Sequence, residues 1–348
     1  FGARVLGVVG VTVATIFLAR SLGPDVYGSF ALLSALVAIL GVFADAGVSP
    51  SMARYVSENA GDGTGVTRVL RQGLLIKCRL MTVCSLVLVN AMPFLSDLLA
   101  DPHVEKYGGL VLLVLWFSEA VRFLAKSHEG LRRMDVYALV NASQGILYPV
   151  LAVSFVLSGW GLAGALVGFM GALAVHTALG SVSLCRIVLR LRRLMQPGPI
   201  ATTTLTDAAW LSRILHYSIP MALVSAGSFI YLKSDALIIS AFLDSADVGH
   251  YNVQFKIVSL MALPAIVLGI VVAPHFTAGS EPLRWHADML HRCLRYALLI
   301  SCPAAVLMVL VPDLLIDILF GEAYRPAVNV LRIFGAGFLP AYATAAVV

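Results

Sequence analysis

Runs of about twenty mostly apolar residues recur along the whole length of this 348-residue chain. A helix needs about 20 such residues to cross a bilayer core, and only helices or closed barrels satisfy their backbone hydrogen bonds in lipid. The runs are continuous and do not alternate in twos, which excludes a barrel. The sequence therefore predicts an all-α polytopic membrane protein of about ten transmembrane segments. They lie near residues 1–18, 29–48, 74–95, 108–123, 137–157, 161–181, 216–242, 251–272, 294–311 and 328–348.

The composition excludes a soluble domain. Charged residues make up 12% of the chain and hydrophobic residues 59%, whereas a soluble domain carries about 25% charged residues. The net charge of +5 fits the loop arginines that orient membrane proteins, so we expect no nucleic-acid partner. The sequence contains no nucleophile elbow, phosphate-binding loop or Cys/His cluster, so we expect no enzyme, no cofactor and no metal site.

Basic residues are concentrated in every second loop. These loops, with the helix ends beside them, hold Arg54, Arg68, Arg71, Lys77, Arg79, Arg122, Lys126, Arg132, Arg133, Arg186, Arg190, Arg192, Arg193, Arg213, Arg284, Arg292 and Arg295. The opposite loops hold mainly aspartate and glutamate. By the positive-inside rule, the sequence predicts a multi-pass protein of the cytoplasmic (inner) membrane, with the loops at Arg71, Arg132, Arg192 and Arg284 in the cytoplasm.

The longest connection divides the chain into two parts. It contains a basic run, then Gln-Pro-Gly-Pro at residues 196–199, and this composition is typical of a linker. We expect a six-helix N-terminal lobe at residues 1–195, a cytoplasmic linker at 196–211, and the first four helices of a C-terminal lobe at 212–348.

A few charged residues fall inside the predicted membrane segments, where a charge costs at least about 2.5–3.5 kcal/mol. We expect such side chains to line a polar cavity, although they could also snorkel to the membrane surface or pair locally. For Asp45 we expect a local ion pair with Arg54 or Arg4, and for Glu119 an ion pair with Arg122 on the same helix. The candidates for binding a substrate are Lys256, Lys233, Asp235, Arg332, Arg4 and the polar neighbour Gln254.

The two parts share a weak internal repeat. A shift of 221 positions places Leu243 on Leu22 and Gly249 on Gly28, each glycine being followed two residues later by an aromatic ring. We expect these glycines to allow a tight turn between two helices, because they lack a Cβ atom. Repeats of this kind build two-lobed transporters.

Several motifs resemble the polysaccharide-biosynthesis (O-antigen and exopolysaccharide) flippases of the multidrug/oligosaccharidyl-lipid/polysaccharide exporter superfamily. Residues 19–30 (ARSLGPDVYGSF) resemble the family's segment between its first two helices. Residues 43–48 (FADAGV) followed by 53–55, and residues 160–165 (WGLAGA), resemble later family segments. The motif residues are Gly23, Pro24, Tyr27, Gly28, Gly249 and Tyr251.

The resemblance implies a flippase that moves a lipid-linked oligosaccharide diphosphate across the membrane by alternating access, with membrane lipids and a polysaccharide polymerase as further partners. Because the family usually has twelve or more helices, it also implies that the second lobe here lacks its last two. Two alternatives stay open. One is an ion-coupled multidrug exporter of the same superfamily, and the other is a membrane glycosyltransferase or polymerase of the same pathway.

Overall fold

A computed structural model describes residues 2–99, 101–194, 207–277 and 283–345, and within these ranges the regular structure is helical. The α-helices, in chain order, are α1 (Gly2–Asp45), α2 (Val48–Glu58), α3 (Gly63–Leu98), α4 (His103–Lys106), α5 (Gly108–Gly130), α6 (Met134–Phe155), α7 (Gly161–Leu194), α8 (Asp207–Phe242), α9 (Ser245–Thr277), α10 (Leu283–Leu310), α11 (Pro312–Leu319) and α12 (Ala327–Ala345). The all-α prediction is confirmed.

The membrane-spanning character is clearest in four long helical stretches: Gly7–Asp45, Gly63–Leu98, Gly108–Gly130 and Ala142–Arg193. A further candidate is the pair Ser301–Leu310 and Pro312–Leu319, which is bent by 89°. Wherever the chain is described, the ten predicted segments lie on helices, except that the second runs through the turn at residues 46–47 and the ninth ends one residue after α10. Ten membrane crossings remain a prediction, since length and hydropathy identify four or five stretches in the described residues.

Two of these stretches are interrupted where the sequence predicted a boundary between segments. Gly23, with φ 76°, breaks α1 just before Pro24, and this break leaves two parts of about twenty residues each. A π-helical turn at Val156–Trp160 separates α6 from α7, and Gly159 within it has φ 85°. Positive φ values of this kind favour glycine, so both breaks are specified by the sequence.

The first compact unit comprises residues 1–18 and 29–245. Its best-defined core lies where α2, α3, α5 and α8 meet, and the large side chains there include Met52, Tyr55, Ile76, Phe123 and Trp210. In the same unit α7 packs against α5 and α6. The predicted boundaries of the lobes remain predictions.

Within this unit, a buried aspartate anchors the connection between α3 and α5. Asp101 is 1% exposed, and its carboxylate accepts hydrogen bonds from the His103 backbone at 2.8 Å and from the Ser245 hydroxyl at 3.0 Å. Burial raises the pKa of the Asp101 carboxyl, but the hydrogen bonds from Ser29, His103 and Ser245 outweigh it and hold this pKa below its ordinary value. The ionised carboxylate is therefore the form that the fold favours.

We expect Asp101→Asn to lower the free energy of unfolding by about 1–3 kcal/mol at neutral pH, because an amide cannot accept the same set of hydrogen bonds. A lowered folded-state pKa gives stability that is complete above the unfolded-state pKa and is lost as the pH falls through the folded-state value. Thermal unfolding in detergent should therefore show the difference in Tm between the two proteins shrinking in strong acid. A difference that stays constant with pH would contradict this account.

The second compact unit comprises residues 19–28 and 246–348. Tyr27 is buried and packs edge-to-face on Tyr324, with 6.4 Å between ring centroids, and the Tyr324 hydroxyl donates to the Ala19 carbonyl at 2.9 Å. A Cβ atom on Gly249 would lie 2.3 Å from the Pro24 carbonyl oxygen. The Tyr251 ring lies 6.3 Å from that of Phe334.

The role expected for two motif glycines needs correction. Gly28 and Gly249 lie inside α1 and α9 and not at turns, and the turn between the first two segments is made by Gly23. Gly249 is required for a different reason, because a side chain there would collide with the backbone at Pro24.

Matching contacts in the two units support the internal repeat. The Ser29 hydroxyl lies 3.4 Å from His103 Nδ1 in the first unit. The shift of 221 takes these residues to His250 and Tyr324, whose rings lie 5.8 Å apart in the second unit. Superposition of Gly249 on Gly28 itself remains a prediction.

A buried charge cluster as the candidate functional site

Three charged side chains from three helices meet inside the first unit. Asp45 is the last residue of α1, Lys77 lies on α3 and Glu119 on α5, and each residue is at most 4% exposed. The Lys77 ammonium donates to the Asp45 carboxylate and, at 2.7 Å, to Glu119 Oε2. One cation therefore joins two acidic groups that are far apart in the sequence.

Ser49, in the first turn of α2, completes the polar shell around the ammonium. Its hydroxyl accepts from Lys77 Nζ at 2.9 Å and donates to Asp45 Oδ1, which also accepts from the Ser49 backbone N–H at 3.2 Å. The left-handed backbone of Gly47 (φ 77°) makes this arrangement possible, because it turns the chain from α1 directly into α2.

On its other side, Glu119 is paired with Arg122, as the sequence predicted. Arg122 Nη1 lies 3.2 Å from Glu119 Oε1, although this oxygen has no aligned hydrogen bond within the described part of the chain. Gly41 leaves room for the carboxylate, since a Cβ atom there would lie 2.6 Å from Glu119 Oε1. Two basic groups thus face two acidic groups, and α1, α3 and α5 are joined through charge.

A cavity of about 480 Å³ lies beside the cluster, between α3, α5 and α7. Lys77 and Glu119 form part of its wall, which is otherwise mostly apolar and includes Leu74, Met81 and Phe123.

One expectation about this region was wrong. The partner of Asp45 is Lys77, whereas Arg54 pairs with Glu58 at 2.9 Å. Lys77 follows three apolar residues at the start of a predicted membrane segment. This position places Lys77 within a membrane segment, but it does not identify the helices that supply its partners.

The strongest predicted candidates lie on α9 of the second unit. Gln254 is fully buried, and neither its amide oxygen nor its amide nitrogen has a hydrogen-bond partner among the described residues. Lys256, two positions later, is half-buried and takes part in a further interaction. A buried amide without partners is costly, so a polar ligand or water at Gln254 would be stabilising.

Of the four remaining candidates, the structure describes the side chains of Arg332 and Asp235. Arg332 is exposed, lies 3.7 Å from the Asp313 carboxylate and donates to the Val309 carbonyl at 3.2 Å. Asp235 is half-buried on α8. The side chains of Lys233 and Arg4 lie outside the described part of the structure.

The arrangement of helices is that of a known class of membrane transporter. It matches a solved structure entitled an inward-facing multidrug resistance MATE family transporter of the MOP superfamily, with a TM-score of 0.71 over 98% of this chain and 81% of that one. A second MATE structure, solved in complex with MaD3S, matches with a TM-score of 0.53 over 97% of this chain and 78% of that one. The sequence identities are 15% and 16%, so these matches show the fold alone.

The chain belongs to the polysaccharide biosynthesis protein family, whose model matches residues 6–279. Two curated relatives come from Haloferax volcanii. "Probable flippase AglR" is 22% identical over 94% of this chain and 64% of that protein. "Probable low-salt glycan biosynthesis flippase Agl15" is 22% identical over 96% of this chain and 65% of that protein. The chain thus spans a little under two thirds of the length of these relatives.

Proposed function

We propose that this protein acts in a flippase that carries a lipid-linked oligosaccharide across the membrane by alternating access. The observation that carries the proposal is membership of the polysaccharide biosynthesis family across residues 6–279. Two relatives named as flippases and the transporter fold point the same way. Alternating access in such folds proceeds by rocking of helical lobes, which here would be residues 1–195 and 212–348, joined by 196–211.

The task is to move polar sugars and a diphosphate through hydrocarbon while the lipid tail stays in the bilayer. A diphosphate in a medium of low dielectric constant needs basic groups nearby. Lys256 is the first choice to supply one, because its neighbour Gln254 is a buried amide without a partner among the described residues. Lys233, Arg4 and Arg332 are the further candidates, and Asp235 would position one of them.

The buried carboxylates also discriminate between substrate classes. A multidrug exporter for cationic compounds would favour unneutralised carboxylates inside the membrane. Asp45 and Glu119 are neutralised by Lys77 and Arg122, so this cluster offers no free negative charge to a cation. The pairing therefore argues against this cluster as a binding site for the cationic compounds of the multidrug alternative.

The same proposal also implies a cellular location and a partner for the protein. It places the chain in the cytoplasmic membrane, with the loops at Arg71, Arg132, Arg192 and Arg284 in the cytoplasm, where lipid-linked oligosaccharides are assembled. A polymerase that extends the polysaccharide would then receive the flipped substrate.

A reconstituted transport assay tests the function. Liposomes containing the purified chain and a fluorescent polyprenyl diphosphate oligosaccharide should move the glycan between leaflets, as measured by its accessibility to an external glycosidase. Lys256→Ala should slow this movement about tenfold or more, because a charge-assisted contact is worth about 1.5–3 kcal/mol, and Lys256→Arg should retain more activity. Lys126→Ala is the control, since Lys126 is exposed and paired with Glu129.

Two results would contradict the proposal. Efflux of a cationic dye without any glycan movement would favour the multidrug exporter. Undiminished flipping when Lys256 and Lys233 are both replaced by alanine would show that these charges do not carry the substrate.

A further inference from the structure

A group of aromatic and arginine side chains joins α2 to α8 within the first unit and shares no residue with the charge cluster. Arg54, Tyr55 and Glu58 come from α2, and Trp210, Arg213 and Tyr217 come from α8. Residues at 210, 213 and 217 lie on one face of α8, because three- and four-residue spacings bring side chains together on a helix. We call these six residues the arginine–aromatic cup.

The floor of the cup is a buried aromatic cluster. Tyr55 and Trp210 are 4% and 5% exposed and pack edge-to-face at 6.0 Å, and Tyr217 packs on Tyr55 at the same distance. The Tyr55 hydroxyl donates to the Arg213 backbone carbonyl at 2.9 Å. The rings are therefore fixed in place by packing and by a hydrogen bond between the two helices.

Both guanidinium groups lie on these rings. Arg54 Cζ lies 4.6 Å from the centroid of Tyr217, and Arg213 Cζ lies 5.1 Å from that of Tyr55. Such stacking holds a guanidinium in one orientation, so that less side-chain entropy is lost when it binds a ligand. Nevertheless, the two side chains remain 49% and 47% exposed and can be reached from solvent.

Glu58 sets the spacing of the two cations. Arg54 Nε donates to one carboxylate oxygen at 2.9 Å, and Arg213 Nη2 donates to the other at 3.0 Å. Each guanidinium uses one nitrogen for Glu58, whereas it carries five N–H donors in all. Two cations against one carboxylate leave the cup with a net positive charge, and a space of about 510 Å³ lies beside it.

The position of the cup in the chain favours an anion of the membrane surface. It begins six residues after α2 starts, and α2 directly follows the apolar stretch Gly7–Asp45. A cationic site just beyond the end of a membrane-spanning stretch lies at the depth of lipid phosphates. Paired guanidinium groups match the geometry of phosphate oxygens.

We propose that the arginine–aromatic cup binds the phosphate groups of an anionic lipid at the membrane surface. This shared chemistry could come from a membrane phospholipid or from the diphosphate of a lipid-linked glycan. The inference requires only that the chain lies in a membrane and does not depend on the proposed transport function.

The test is lipid binding to the purified full chain in detergent, measured by native mass spectrometry. The probes are phosphatidylglycerol, a polyprenyl diphosphate oligosaccharide, inorganic pyrophosphate, and zwitterionic phosphatidylcholine as the reference. Arg54→Gln combined with Arg213→Gln should weaken binding of the anionic lipids about tenfold or more. Glu58→Gln should strengthen it several-fold, because it removes the competing negative charge. Arg68→Gln, another exposed arginine, is the matched control and should change binding little.

The pattern of losses identifies the source of the phosphate. If the double variant loses binding of both anionic lipids, the cup binds phosphate headgroups generally. If it loses binding of the diphosphate lipid alone, the cup is a subsite for the lipid-linked glycan. Loss of pyrophosphate binding alone would overturn the lipid assignment. Unchanged lipid binding by the double variant, or weaker lipid binding by Glu58→Gln, would also overturn the lipid assignment. The six residues would then serve only to hold α2 against α8. Thermal unfolding of each variant separates these outcomes from misfolding.

Discussion

Replacing Lys77 with methionine is expected to lower the free energy of unfolding by about 3–5 kcal/mol, because it leaves two buried carboxylates without their shared cation. Asp45 would keep only Ser49 as a partner, and Glu119 would keep only Arg122. Methionine has nearly the same length as lysine, so the loss would come from charge and not from an empty space. Thermal or denaturant unfolding of the purified protein in detergent measures the effect.

Two further variants test whether charge is the cause. Lys77→Met combined with Asp45→Asn and Glu119→Gln removes all three charges and should recover most of the lost stability. Lys126→Met breaks an exposed ion pair with Glu129 on α5 and should cost less than about 1 kcal/mol. If the triple variant is as unstable as Lys77→Met alone, packing rather than charge would be the reason for burying Lys77.

The second large effect is expected at Gly47, between α1 and α2. Its φ of 77° is unfavourable for any residue with a side chain, and a Cβ atom there would lie 2.1 Å from the Ser218 carbonyl oxygen on α8. Backbone strain and overpacking add, so Gly47→Ala should destabilise the protein by roughly 2–5 kcal/mol. The same unfolding measurement applies.

Substitutions at two other glycines separate the contribution of backbone strain from that of overpacking. Gly159 has φ 85°, and no atom lies within 4 Å of the position that a Cβ atom would occupy, so Gly159→Ala should show strain alone, about 1–3 kcal/mol. Gly227 lies in α8 with equally open space, and Gly227→Ala should be neutral or stabilising by about 0.5–1 kcal/mol. If Gly47→Ala and Gly159→Ala lower the free energy of unfolding equally, then α8 moves away from the new methyl group at position 47 without an energetic cost.

The helices and their breaks could be predicted because both depend on short stretches of sequence, namely apolar runs and single glycines. The boundary near Gly23 and the one near Gly159 follow from short-range chain chemistry. The ion pair between Glu119 and Arg122 could be predicted for the same reason, since both residues lie on one helix turn.

The partners of Lys77 could not be predicted in this way. Hydropathy indicates how deep a residue lies along a helix, but it does not indicate which neighbouring helix its side chain meets. Lys77 is close to the end of an apolar run, so snorkelling and burial were equally compatible with the sequence, and only the packing of α1 and α5 decides between them. The same limit applies to the stacking of Arg54 and Arg213, which depends on how α2 packs against α8.

The assignment of residues 19–28 to the second unit has a consequence for biosynthesis. Ala19 accepts a hydrogen bond from Tyr324, and Arg20 donates to the Ile318 carbonyl, so these contacts join residues about 300 positions apart. A ribosome that adds about 5–20 residues per second needs about 15–60 s to make the intervening chain. During that interval the turn at Gly23 is already synthesised, but residues 318–324, which these hydrogen bonds join to residues 19 and 20, are not. The turn must therefore wait in the membrane, or be held by a chaperone, until the chain has been translated past residue 324.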